Sequence, residues 1–110
     1  MQNRNRGDYT IRARELVMEG ADLRVTILTL GPGECVPWHW HSEVGDDFVC
    51  MQGPMVVETR APRHEYCRAP GERCTVPART AHYVHGEAGG PCKFLLVQGV
   101  GVYDFNAVGG

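Results

Sequence analysis

His39 and His41 stand two residues apart in the stretch GECVPWHWHSEVGDDFVCMQG, from Gly33 to Gly53, with Glu43, Asp46 and Asp47 close behind them. In a strand, a spacing of two puts both imidazoles on one face, near enough to reach one ion. A short tight turn after His41 would carry Asp46 back alongside them. Glu43, which shares His41's parity, and Asp47, which is adjacent, are the rival carboxylates. Imidazole nitrogens with a carboxylate suit Fe, Mn, Co, Ni, Cu or Zn and are a poor set for calcium or magnesium. A lone His-x-His is weak evidence, so the rest of the chain has to supply more. It does so in GERCTVPARTAHYVHG, from Gly71 to Gly86. There a strand ends at Pro77, which cannot donate to a central ladder, a turn follows, and the returning strand aims His82 inward.

The elements that must position these residues are short strands. Apolar residues alternate with polar ones almost throughout, and no helical period of useful length occurs. In LRVTILTL, Leu23, Val25 and Ile27 are the apolar set at the start and Leu28 and Leu30 at the end. That switch of parity predicts a strand with one face buried at its start and the other at its end, and marks either a bulge or a strand covered on both sides near its end. Ile11 to Met18, Met55 to Thr59, His64 to Arg68, Arg73 to Val76, Ala81 to His85 and Cys92 to Gln98 are further strand candidates. Turn signals separate them: GPG at Gly31, GP at Gly53, AP at Ala61 and Ala69, and GG at Gly89. The expected class is all-β, an antiparallel sandwich or barrel in one domain, with tails at Met1 to Asp8 and Asn106 to Gly110 that fray.

Composition excludes several roles. A formal charge of −2 provides no cationic surface for a phosphate backbone, so nucleic acid is not an expected partner. Ten arginines are scattered from Arg4 to Arg79 without a run and read mostly as solvated surface. No apolar stretch approaches a membrane span, and the first residues lack a signal-peptide core, so a cytoplasmic protein is expected. Cys35, Cys50, Cys67, Cys74 and Cys92 form no CxxC pair. In a reducing compartment they read as buried apolar residues, with a Cys67–Cys74 bridge across a hairpin as the alternative.

The two histidine segments resemble the two motifs of a small single-domain cupin. The family's first motif is Gly, five residues, His-x-His, three or four residues, Glu, six residues, Gly. It falls on Gly33, His39, His41, Asp46 and Gly53, with Asp in place of Glu. The second is Gly, five residues, Pro-x-Gly, two residues, His, three residues, Asn. It falls on Gly71, Pro77, Arg79, His82 and Gly86, with Arg for a glycine and Gly for the asparagine. The resemblance covers roughly Leu23 to Gln98. It implies a double-stranded β-helix, a jelly-roll barrel of two antiparallel sheets, holding one divalent transition-metal ion through three histidines and a carboxylate. Asp46 is the preferred carboxylate because it alone keeps both motif gaps. Arg79 suggests that the turn after Pro77 does not need a left-handed backbone.

Parity then proposes a pocket. Phe48 and Cys50 follow Asp46 on its face, Cys35 and Pro37 accompany the histidines, and Phe94, Leu96 and Gln98 face in, since the other parity would bury Lys93. Trp38 and Trp40 point the other way and are candidates for a homodimer interface, or else the second sheet or the N-terminal strand covers them within one chain. Four ligands on an octahedral ion leave two positions open, which suits metal-dependent chemistry on a small molecule, with dioxygenase-type cleavage favoured. An isomerase or cyclase, with His85 or a tyrosine moving a proton, is the alternative enzyme. A non-enzymatic ligand-binding module is the third reading.

Overall fold

The computed structural model describes residues 9–108. Its ten strands are β1 (Ala13–Glu19), β2 (Leu23–Leu30), β3 (Cys35–Trp40), β4 (Gly45–Gln52), β5 (Met55–Thr59), β6 (His64–Arg68), β7 (Arg73–Val76), β8 (His82–Gly86), β9 (Cys92–Gly99) and β10 (Asn106–Ala107). One sheet runs β1-β2-β9-β4-β7 and the other β10-β3-β8-β5-β6, with antiparallel pairing throughout. No helix among the described residues is long and apolar enough to cross a membrane.

Strict alternation builds the interior. Cys92, Phe94, Leu96 and Gln98 of β9 are buried, while Lys93, Leu95 and Val97 are half-exposed. The core joins Leu30, Phe48, Met55, Val57, Val84 and Phe94 from both sheets. Each such side chain contributes about 1.5–3 kcal/mol by leaving water, which is what holds the sheets face to face.

Two expectations for the strands change. In β2 the buried parity does not switch: Arg24, Thr26, Leu28 and Leu30 share the inward side, and Leu23, Val25 and Ile27 lie half-buried on the other. The register against β9 runs unbroken from Leu23 to Leu30, so there is no bulge. The inward residues are polar at one end because Arg24 and Thr26 there line a cavity rather than the packed core. At the carboxyl end, Asn106 and Ala107 do not form a loose tail but pair with Trp40 and His39. The expected tail Met1 to Asp8 lies outside the described residues.

The departures from the motif glycines have physical causes. Arg79 adopts φ 63°, so the turn does use the left-handed backbone that the family's glycine provides. Its amide N–H donates to the His41 carbonyl at 2.8 Å, which ties this turn to the second histidine. Gly86 packs so tightly that a Cβ there would lie 1.8 Å from the Gly90 carbonyl oxygen, which excludes an asparagine.

All five cysteines are unbridged. Cys50, Cys74 and Cys92 are buried, and burial, with Cys50 nearby, pushes the Cys92 thiol up to about 12. Such thiols are apolar filling rather than nucleophiles.

Candidate metal centre

Three strands from two sheets meet at one end of the barrel. On β3, a break in register between Val36 and His39 interrupts the alternation, and His39 then lies opposite His82 of β8. His41 follows just past the end of β3, and Asp46 begins the inward row of β4 in the other sheet. His39, His41, Asp46 and His82 are all buried, and one ligating atom of each lies within 4.8 Å of those of the others.

The orientation of the rings is set by backbone. His39 Nδ1 donates to the Pro37 carbonyl at 2.7 Å, His41 Nδ1 to the Asp104 carbonyl at 2.6 Å, and His82 Nδ1 to the Thr80 carbonyl at 2.8 Å. A carbonyl oxygen can only accept, so each Nδ1 carries a proton, and in the neutral ring each Nε2 presents a lone pair. Metal-binding histidines are held in this way. Asp46 Oδ2 lies 3.2 Å from His41 Nε2 and 2.7 Å from His82 Nε2. Lone pairs facing a carboxylate at those distances repel unless a proton or a metal ion stands among them. The donor set therefore fits a divalent transition-metal ion.

Charge follows the same logic. Burial, with His82 close by, lowers the His39 pKa to about 3, so this imidazole stays neutral. Burial also acts to lower His41, but the hydrogen bond and charge of Asp46 outweigh it and raise the pKa. For Asp46, burial acts to raise the carboxyl, and the bonds to His41 and His82 overcome it and hold the group well below the usual carboxylate range.

The rival carboxylates lie elsewhere. Glu43 is exposed and accepts from the Val102 amide, and Asp47 points to the opposite face of β4, where it pairs with Arg73. His85 is not in the cavity either: it faces outward and bonds Glu58 at 2.7 Å. His64 is exposed.

His39, His41 and Asp46 open onto a cavity of about 30 Å³, room for roughly one or two water-sized groups. Phe48, Phe94, Leu96 and Gln98 line it as parity proposed. Gln98 donates from Nε2 to Asp46 Oδ1 at 3.0 Å. Cys50 shares their strand face but packs in the core outside the lining. Cys35 and Pro37 do not accompany the histidines; the irregularity in β3 turns Val36 inward instead. Trp38 is half-buried within the chain, stacked on Tyr83 at 5.5 Å with the Arg60 guanidinium 4.0 Å from its ring, and Trp40 is half-buried too.

Residues that motif and parity did not single out complete the walls. Phe105 stacks on His39 at 4.3 Å and on Tyr9 at 5.8 Å. Asp104 accepts from Ser42 N at 2.8 Å and Ser42 Oγ at 2.6 Å, which fastens the segment after β9 onto the histidine strand. Arg14, Arg24 and Thr26 also line the cavity, so two of the arginines read as solvated surface face the site.

Ten strands in two interleaved antiparallel sheets, with the donor cluster between them, match known structures. The fold is that of the cupins. The chain is similar to a double-stranded β-helix domain protein of Klebsiella pneumoniae, at 19% identity over 84% of this chain and 80% of that one, with a TM-score of 0.70. It also resembles the cupin-2 domain protein of Shewanella frigidimarina, at 17% identity over 82% of each chain and a TM-score of 0.66. Lactobacillus farciminis oxalate decarboxylase, solved as a formate complex, superposes with a TM-score of 0.69 at 20% identity. That likeness covers 79% of this chain and only 27% of the decarboxylase. No family model matches the sequence, and no curated protein does. At these identities the likeness to cupins is one of fold.

Proposed function

We propose that this cupin is a metalloenzyme that acts on a small organic molecule, with dioxygenase-type chemistry favoured. The observation that carries the reading is the set of three Nε2 lone pairs, locked by backbone carbonyls and converging with Asp46 at a mostly apolar cavity. His39, His41, His82 and Asp46 would hold the ion, which would supply Lewis-acid or redox chemistry towards a substrate and dioxygen. The protein's own part is to orient and to exclude water. Gln98 holds the outer oxygen of Asp46, and Phe48, Phe94, Leu96 and Phe105 close the walls.

An isomerase reading draws on a different observation. Tyr103 lines the cavity with its ring 5.4 Å from that of His41, where its hydroxyl is the candidate to move a proton, a role that His85 cannot fill from outside. Metal analysis of the purified protein, with oxygen uptake on adding diketones, catechols and enols, separates these. A redox-active metal with uptake supports the dioxygenase. Zinc without uptake favours the isomerase or a ligand-binding protein. Absence of metal, with stability unchanged in His39→Ala and His82→Ala, overturns the site.

A homodimer is part of the same proposal, but through another surface than the tryptophans. The outer face of the first sheet carries Met18, Val25, Ile27, Leu95, Val97 and Val49 in adjacent register. Sedimentation giving the mass of a single chain would remove it.

A further inference from the structure

Arg24 occupies an inward position of a barrel strand, in line with Thr26, Leu28 and Leu30. Placing a guanidinium there costs solvation that a partner must offset. The described residues supply only part of one. The Tyr103 ring lies 4.4 Å from the guanidinium carbon, and Arg24 Nε is buried with no hydrogen-bond partner. Asp46 does not serve, since its oxygens engage His41, His82 and Gln98.

The register places this unmet donor beside the metal centre. Arg24 pairs with Gln98 across β2 and β9, and Gln98 pairs with Asp46 across β9 and β4. Two strand spacings, about 10 Å of backbone, separate Arg24 from the carboxylate at the metal donors. Arg24, Gln98 and Tyr103 line both the inner cavity and an outer groove of about 240 Å³, so the guanidinium stands where the two meet. Arg14, which donates to the Tyr9 hydroxyl at 2.7 Å, adds a second positive charge to the cavity wall.

We infer that Arg24 anchors a carboxylate group of the substrate while the rest of the molecule reaches the metal donors. The ring of Tyr103 lies over the guanidinium face, so recognition falls to an edge. The Nε–H edge of an arginine offers two parallel donors that match a planar carboxylate. The small inner cavity favours that flat anion over a tetrahedral phosphate. The inference rests on the metal-centre reading only for the far end of the ligand.

The test titrates lactate and its neutral isostere lactamide into zinc-loaded and metal-free protein, followed by amide chemical shifts, with zinc content measured separately. Wild-type protein is expected to bind lactate about tenfold or more tighter than lactamide, a preference of about 1.4 kcal/mol. Arg24→Gln is expected to abolish that preference without changing zinc content. Arg24→Lys, which keeps the charge and loses the fork, is expected to weaken lactate at least about threefold, and it decides the matter if Arg24→Gln does not fold. Zinc-loaded protein whose lactate preference is the same in wild type and both variants overturns the inference and leaves the metal centre standing. Wild-type protein with no preference in either form also overturns it. Protein that takes up no zinc yet shows an Arg24-dependent preference supports the inference and overturns the metal reading.

Discussion

Gln98 and Asp46 face each other at one register position of β9 and β4, and the amide of the first donates to the outer carboxylate oxygen of the second at 3.0 Å. The bond leaves Asp46 Oδ2 turned towards His41 and His82. Aspartate is one methylene shorter than the motif's glutamate, and this arrangement brings it to the histidines all the same. Because partners of ligands tune metal affinity, Gln98→Leu is expected to weaken zinc binding by about 10–100-fold. Competition with a chromophoric chelator measures it, and an unchanged affinity would show that Gln98 is only part of the wall.

Metal binding should stabilise the fold. Zinc at about 100 times its dissociation constant adds about 2.7 kcal/mol, which for a domain of this size raises the melting temperature by about 10 °C. Thermal unfolding with zinc and with excess chelator checks this. His82→Ala is expected to abolish the increment, since it removes one imidazole and leaves Asp46 Oδ2 only the longer contact to His41.

The pH dependence has a defined shape. His39 has a folded pKa of about 3 against an ordinary 6.5, so the metal-free protein loses stability as the pH falls below 6.5 and the unfolded chain takes up a proton that the fold refuses. His41 is raised above 6.5, so its contribution is full below that value and is lost as the pH rises through its folded pKa. Asp46, lowered from 3.8, contributes above that value and gives way only in stronger acid. Metal-free stability should therefore peak near pH 6.5. Above the peak the proton between His41 and Asp46 leaves more easily, so the zinc-induced rise in melting temperature should grow with pH. A scan from about pH 5.5 to about pH 8, with and without zinc, would expose a flat or inverted trend.

Arg79 carries backbone strain in a solvent-exposed turn. A left-handed conformation costs a side-chain-bearing residue about 1–2 kcal/mol, and the extra freedom of an unfolded glycine returns about 0.5–1 kcal/mol of that. Arg79→Gly is expected to stabilise the protein by up to about 1 kcal/mol, with zinc affinity unchanged. Urea unfolding measures it, and a loss of stability would mean that the side chain makes a contact worth more than the strain.

Strand period made much of this legible in advance. His39, His41, Asp46 and His82 lie in two short segments whose local spacing sets where the side chains point, and the alternation of β9 separated Phe94, Leu96 and Gln98 from Lys93. The same rule failed in β3, where a register break that no residue type announces put Val36 in place of Cys35 and Pro37. It failed in β2 for another reason. Apolar residues mark the buried side only where a strand faces packed core, whereas Arg24 and Thr26 face in because they line a cavity.

By itself, then, the sequence determined the strand-rich class, the three histidines and most of the apolar wall, because each depends on neighbours a few positions apart. Tertiary structure alone decided which carboxylate meets the histidines, since Asp46 and Asp47 differ only in which face of β4 they take once it joins its sheet. It alone brought Asp104, Phe105 and Tyr103 to the rings of His39 and His41, over sixty residues away in the chain. It alone turned Arg24 from a surface charge into a cavity wall. Those contacts arise from closing a barrel around a common core, and closure depends on long-range pairing that local periodicity does not encode.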